Sequence, residues 1–119
     1  MEVKKSAQLV AAALKNSLAD ERGRWVLGPQ RDARSEYRLR FHDKAQTRTL
    51  VMDRVFRDAK GTSWIVDYKT SRHEGAGTEA FLERERSRYA PQLRAYAAAL
   101  PGARTGLYFP QLKAWREIT

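Results

Sequence analysis

Apolar residues recur every three or four positions in two stretches of the chain, a spacing typical of amphipathic helices. The first stretch runs from about Val3 to Ala19 and predicts a helix. Gly23 is expected to end this helical region, and residues 25–29 are expected to form a short packed segment and a turn. The chain should therefore open with one helix followed by irregular structure.

The second helical stripe runs from Phe81 to Leu100 and follows a glycine-containing polar stretch, residues 70–77, that predicts a flexible loop. Pro91 lies inside the stripe. Because proline lacks an amide hydrogen and clashes with the preceding turn, the helix must kink there or a second helix must begin. Residues 101–102, Pro-Gly, are expected to end the helical region.

Five other segments show strict alternation or short β-branched and aromatic runs, as strands do. The polar residues 42–47 are expected to form the turn after the first strand, and Pro110 to lie in the turn before the last. The predicted strands cover residues 36–41, 50–56, 64–70, 107–109 and 114–118.

The resulting order is helix, three antiparallel strands, helix and two strands, which predicts an α/β (or α+β) fold with a central mixed β-sheet flanked by helices. A length of 119 residues suits one domain with a single modest core, and no internal repeat or linker divides the chain. Residues 1–119 are therefore expected to form one domain.

Charged side chains inside two of the strands mark a candidate site. Asp67 and Lys69 stand two residues apart in an otherwise apolar run, so on a strand they project from one face, roughly 6–7 Å apart. A second carboxylate, Asp53, lies in the preceding strand. Two carboxylates and a lysine on one sheet face suit metal-dependent cleavage of phosphodiester bonds.

The loop between these strands decides whether the carboxylates meet. A three-residue loop, Ala59 to Gly61, places glycine where such hairpins need a left-handed residue, and pairs Asp58 with Thr62. Asp53 then lies opposite Asp67, with Cβ atoms about 5 Å apart, close enough to share one Mg²⁺. A four-residue loop would turn one carboxylate to the other face.

The chain carries 23 Lys and Arg residues against 14 Asp and Glu residues, a net charge of +9. This excess favours a polyanionic partner, and nucleic acid is the first candidate. The chain has no cysteine, which excludes disulfides and cysteine-based zinc sites and is compatible with the cytoplasm. No apolar run approaches the roughly 20 residues of a membrane span, so no membrane association is expected.

Three motifs and a late strand together resemble the nuclease domain of RecB-like and AddA-like helicase–nucleases, within the PD-(D/E)XK superfamily. The resemblance covers residues 36–110 and implies a restriction-endonuclease-like core. The matching segments are Met52-Asp53-Arg54, residues 65–70 (Ile-Val-Asp-Tyr-Lys-Thr), Tyr89-xx-Gln92-xxx-Tyr96 and residues 107–110 (Leu-Tyr-Phe-Pro).

The resemblance implies a deoxyribonuclease, more an exonuclease than an endonuclease, that acts in recombinational repair. The implied catalytic residues are Asp53, Asp67, Lys69, Gln92 and Tyr96. The two carboxylates and the backbone carbonyl of Tyr68 would hold Mg²⁺ or Mn²⁺. Glu36 is similar to a glutamate that precedes the first core strand in many relatives.

The implied partners are DNA, the helicase portion of a parent chain and a second helicase–nuclease subunit. Basic residues in the loops and the second helix would contact DNA phosphates, an interaction that supplies affinity without sequence readout. These candidates are Lys60, Arg72, Arg84, Arg88 and Arg94, with Arg86 in the same helical cluster.

The chain departs from the family pattern at two points. Val51 stands where the family usually has glycine, and the helix from Val3 to Ala19 lacks the metal-binding histidine of helicase-linked members. The chain is therefore expected to be a fragment truncated at its N-terminal side. The alternative function is a non-catalytic DNA-binding module with an incomplete nuclease site.

Several candidates also have purely structural explanations. Asp67 and Lys69 could form an ion pair at a sheet edge, and Tyr89 could be a core residue. Gln92 favours a functional role because it interrupts an apolar stripe, where a buried amide needs partners. Trp25, Trp64 and Trp115 are better explained as core residues than as base-stacking platforms.

Overall fold

The computed structural model describes residues 15–70 and 77–118, without the side chains of residues 41 and 43. Residues 15–19 are helical, and the remainder of the predicted first helix lies outside the described residues, as does most of the 70–77 loop. The other elements are α1 (Glu21–Leu27), β1 (Arg31–Asp43), β2 (Gln46–Arg57), β3 (Ser63–Tyr68), α2 (Thr78–Ala99), β4 (Arg104–Phe109) and β5 (Ala114–Ile118).

The strands of the described chain form one mixed sheet in the order β1-β2-β3-β4-β5. Neighbouring strands are antiparallel except β3 and β4, which are parallel. A parallel pair needs a crossover connection, and α2 lies in it. The predicted α/β fold with a central mixed sheet is confirmed. None of the described helices combines the length and apolar character needed to cross a membrane.

Side chains from the two sheet faces build two apolar clusters. Ile65 belongs to the cluster that contains Leu82 and Leu93 of α2, whereas Trp64 and Val66 belong to the cluster that contains Val26 of α1. Because strand side chains alternate between faces, Asp67 and Lys69 follow Ile65 on the α2 side of β3. Trp25 packs edge-to-face against Trp64 and Trp115. Trp64 is a buried core residue, as predicted, whereas Trp25 and Trp115 are half-buried and pack against that core.

The expectation that Gly23 ends a helix is wrong, since Gly23 lies inside α1. Asp20 caps this helix, and its carboxylate accepts a hydrogen bond from the Gly23 amide. A Cβ atom at Gly23 would lie 2.2 Å from the Ser17 carbonyl oxygen and 2.6 Å from the Tyr108 hydroxyl. Glycine is therefore required for close packing, and residues 25–27 are helical rather than irregular.

Two further boundaries differ from the expected ones. The turn after β1 consists of Lys44 and Ala45 alone, both with positive φ, rather than residues 42–47. Two left-handed residues form the tight turn that suits a twisted hairpin, so polar residues on either side remain in the strands. α2 continues through Pro91, which excludes the expected alternative of a second helix.

Candidate active site

The β2–β3 hairpin brings Asp53 and Asp67 together. The Asp58 amide donates to the Thr62 carbonyl at 2.9 Å, and Gly61 has φ +82°. Paired residues run from Arg57 with Ser63 to Arg54 with Val66. One residue further along this register, Asp53 faces Asp67, and their carboxyl groups are in hydrogen-bonding contact. The predicted three-residue loop and the juxtaposition of the carboxylates are confirmed.

Asp53 lies in a partly buried environment beside Asp67. Its Oδ2 atom accepts a hydrogen bond from the Tyr68 amide at 2.9 Å. Burial, and next a hydrogen-bonding contact with Asp67, raises the pKa of Asp53 to about 6, although the Tyr68 amide and Lys69 oppose this shift. Arg54 does not neutralise Asp53, because its guanidinium donates to the carbonyls of Val26 and Gly28 on the other sheet face.

Lys69 is held between a carboxylate and an aromatic ring. Its Nζ atom lies 2.7 Å from Oδ2 of Asp67 and 3.6 Å from the centroid of the Tyr89 ring. The backbone amide of Lys69 donates to the Tyr108 carbonyl at 2.9 Å, which fixes the chain just beyond β3. Tyr89 thus contacts the site. Sequence reasoning favoured a core role for it, because a tyrosine at helical spacing looks the same in either case.

Gln92 and Tyr96 connect α2 to the strand that carries Asp53. The Gln92 amide donates to the Tyr96 hydroxyl at 2.7 Å, and this hydroxyl donates to the Val51 carbonyl at 3.2 Å. Gln92 is exposed and Tyr96 is buried. The argument that Gln92 is a buried amide is therefore wrong, but its contact places it near the start of the Asp53 segment.

A family model for the PD-(D/E)XK nuclease superfamily matches residues 2–114 of the chain. The chain belongs to the PD-(D/E)XK nuclease superfamily. The spacing that names the superfamily is present here as Asp53 followed by Asp67-Tyr68-Lys69. Comparison with curated proteins finds no significant match.

Members of the PD-(D/E)XK superfamily usually use divalent metals, and the carboxylates of this chain fit such an ion. Asp67 is 5% exposed, and its Oδ2 atom lies 2.7 Å from the Lys69 ammonium, which is the neighbouring charge in the described part of the chain. No group of three His, Cys, Asp or Glu side chains forms in residues 15–70 and 77–118. Within these residues, Asp53 and Asp67 are the neighbouring carboxylates that could hold an ion.

A cavity of about 320 Å³ adjoins Asp53, and its other lining residues are Ser35, Glu36 and Tyr68. Glu36 lies opposite Asp53 in the β1–β2 register, which pairs Ser35 with Arg54 and Tyr37 with Met52. Glu36 itself is exposed, with φ +50°.

The basic candidates on α2 divide between two sides of the helix. Arg84 and Arg88 are exposed one turn apart, and the Arg88 guanidinium lies 5.2 Å from the Tyr89 ring. Arg94 instead lines a depression with Arg86 and Ile118, on the side that faces β5. Arg86 also donates to the Glu117 carbonyl, so it is engaged in holding α2 to β5.

The two remaining basic candidates lie outside α2. Lys60 is exposed in the β2–β3 turn. Arg72 lies outside the described residues. Among the described basic candidates, Arg88 is therefore the residue nearest the site, because it contacts the Tyr89 ring, which in turn contacts Lys69.

Proposed function

We propose that this chain is a metal-dependent deoxyribonuclease domain in which Asp53 and Asp67 hold Mg²⁺ or Mn²⁺, with the Tyr68 carbonyl as a further ligand. The observation that carries the proposal is the close pair of carboxylates, a buried Asp67 beside an Asp53 whose pKa is raised, with the Lys69 ammonium 2.7 Å from Asp67. A hard cation would satisfy both groups, since carboxylate oxygens are its preferred ligands.

A bound divalent cation would supply Lewis acidity to the scissile phosphate and make a water molecule more acidic. Lys69 would place its ammonium where negative charge builds up on the phosphate or where the attacking water lies. Asp67 and the Tyr89 ring restrict Lys69 to this position, at 2.7 Å and 3.6 Å from Nζ. A preoriented charge of this kind needs no rearrangement during the reaction.

The α2 residues would position the substrate and the strand that bears Asp53. Tyr96 holds the Val51 carbonyl two residues before Asp53, and Gln92 orients the Tyr96 hydroxyl. The exposed end of Gln92 remains available to a phosphate oxygen or a metal-bound water. Arg84 and Arg88, exposed on the neighbouring stripe of α2, would contact phosphates on either side of the cleaved bond.

We further propose that the chain is the nuclease portion of a cytoplasmic RecB-like or AddA-like helicase–nuclease that degrades DNA during recombinational repair. The support is the motif set itself, Asp53, Asp67-x-Lys69 and Tyr89-xx-Gln92-xxx-Tyr96. In this proposal the helicase portion and a second subunit deliver unwound DNA to the site, and exonucleolytic cleavage follows.

Cleavage of linear DNA in Mg²⁺ tests the proposed function, measured for the 119-residue chain and for its parent protein. Asp67→Ala and Lys69→Ala should each reduce the rate at least about 100-fold, as loss of a transition-state-stabilising group does. DNA affinity should change little, because it rests on distributed phosphate contacts. Asp32→Asn is the matched control, since Asp32 is an exposed carboxylate in β1.

Two outcomes would contradict the proposal. If the parent protein binds DNA but never cuts it in Mg²⁺ or Mn²⁺, the chain is a non-catalytic DNA-binding module. If it cuts DNA and Asp67→Ala cuts as fast as Asp32→Asn, the activity resides at another site.

A further inference from the structure

The β1–β2 hairpin extends well beyond the rest of the sheet. Pairs between β1 and β2 continue to Asp43 with Gln46, whereas β2 pairs with β3 only over residues 54–57. Residues 38–51, here called the arm, are therefore a two-stranded ribbon joined by the Lys44-Ala45 turn. Six residues in each strand, 38–43 and 46–51, give the arm a length of about 20 Å.

The two faces of the arm differ in character. Leu39 and Leu50 form a pair and pack against the apolar cluster that contains α2, so this inner face holds the arm in place. The outer face consists of the alternate pairs, and all of its side chains are exposed. These pairs are Arg38 with Val51, Arg40 with Thr49, and His42 with Thr47.

The outer face is basic and has no acidic side chain. Neither Arg38 nor Arg40 makes an ion pair with a side chain in the described part of the chain, although exposed arginines elsewhere, such as Arg57 and Arg104, do. Lys44 adds a further exposed charge at the tip. The arm begins next to the candidate site, since Val51 precedes Asp53 by two residues and Glu36, which lines the same cavity as Asp53, precedes Arg38 by two.

We propose that the outer face of the arm binds the phosphate backbone of duplex DNA and guides the strand toward Asp53 and Asp67. This inference rests on the proposed function, because it gives the arm the same substrate. Arg38 and Arg40 project about 6.6 Å apart on one strand, which matches the roughly 6.8 Å rise of two nucleotides along a DNA strand. A two-stranded ribbon also has the width that the major groove admits.

The salt dependence of duplex binding tests the inference without requiring cleavage. The variant Arg38→Gln/Arg40→Gln is compared with Arg31→Gln/Lys113→Gln by fluorescence anisotropy without divalent metal. Both variants remove two exposed charges, so the long-range attraction falls equally. Arg31 lies at the end of β1 far from the tip of the arm, and Lys113 lies by β5 at the other sheet edge.

Loss of two phosphate contacts should lower the slope of log affinity against log salt by roughly 1.8 in the arm variant. The control variant should keep the wild-type slope. Circular dichroism melts of both variants should match the wild type, because all four side chains are exposed.

A crosslink locates the DNA independently of affinity. The chain has no cysteine, so Thr49→Cys on the outer face and Ala19→Cys, an exposed position just before α1, each carry one photoreactive label. The Thr49 position should crosslink to bound duplex and the Ala19 position should not.

Each contrary result is distinguishable from failure of the proposed nuclease function. If the protein cuts DNA but both double variants show equal slopes, the arm does not bind DNA and the nuclease function stands. If only the arm variant shows a smaller slope of log affinity against log salt and the protein never cuts DNA, the arm binds DNA and the proposed nuclease function is wrong. If the arm variant self-associates with an unchanged slope, the arginines protect an edge strand; that result, or absence of duplex binding, overturns the inference.

Discussion

At the scale of single residues, the decisive feature is the surroundings of Lys69. An ammonium group with both a carboxylate oxygen at 2.7 Å and an aromatic ring at 3.6 Å is restricted in position by two different forces. The ring attracts the cation through its quadrupole, an interaction worth up to about 2 kcal/mol when desolvated. In the proposed mechanism, Tyr89 is therefore a positioning residue that acts through Lys69.

Substitutions at Tyr89 separate this role from simple packing. Tyr89→Phe keeps the ring and should cleave DNA within about twofold of the wild-type rate. Tyr89→Leu keeps apolar bulk but loses the ring, and should lower kcat about 5- to 30-fold with little change in KM, which corresponds to about 1–2 kcal/mol. Steady-state kinetics with both variants checks this. Equal loss in both variants, or a change confined to KM, would contradict the positioning role.

Site residues on the strands could be predicted from the sequence, whereas those on the helix α2 could not. Asp53, Asp67 and Lys69 could be brought together because strand periodicity and a glycine in a three-residue loop fix the register. Tyr89 could not be assigned, since a helical stripe does not reveal what lies opposite it. Gln92 was expected to be buried, but it lies at the edge of the α2 stripe and is exposed.

At the scale of elements, Arg54 fastens α1 to the sheet. Its guanidinium donates to the carbonyls of Val26 and Gly28 and to the Ser35 hydroxyl, each at 3.0 Å. The carbonyls at a helix C-terminus lack partners within the helix and favour a cation. Arg54 therefore supports β2 on the face opposite to its neighbour Asp53.

Replacing Arg54 should destabilise the fold without touching the carboxylates. Arg54→Ala should lower the free energy of unfolding by about 2–3 kcal/mol, because it leaves partly buried carbonyls without a charged donor. Arg57→Ala, which removes an exposed guanidinium 3.7 Å from Asp32, should cost no more than about 1 kcal/mol. Urea denaturation of both variants measures the difference, and equal losses would show that the α1 contacts contribute little.

The boundaries of the elements were less predictable than their order. Glycine usually signals a helix end. At position 23, however, glycine is required because Ser17 and Tyr108, which belong to other elements, leave no space for a side chain. The sequence predicts strands that end short of the tip of the arm, because nearly all of residues 42–49 are polar and polarity alone does not distinguish an exposed ribbon from a turn. Pro91 stays within α2 on an exposed side.

At the scale of the whole molecule, three parts of the fold meet at the candidate site. The β2–β3 hairpin contributes the carboxylates, the end of β3 contributes Lys69, and α2 contributes Tyr89, Gln92 and Tyr96. The crossover from β3 to β4 places α2 over this sheet face, so the residues converge only when the complete sheet has formed. The fold class followed from the order of the elements, whereas the contacts of α2 needed the tertiary structure.

The central claim is that Asp53 and Asp67 form one cation site beside Lys69, and a calorimetric titration with Mn²⁺ tests it most directly. Wild-type protein should bind Mn²⁺, Asp67→Asn should lose binding, and Asp53→Asn should bind at least about tenfold more weakly, because each removes a carboxylate ligand. Lys69→Met should bind at least as tightly as the wild type, since it removes a cation that lies 2.7 Å from Asp67. Wild-type affinity in Asp67→Asn would contradict the account.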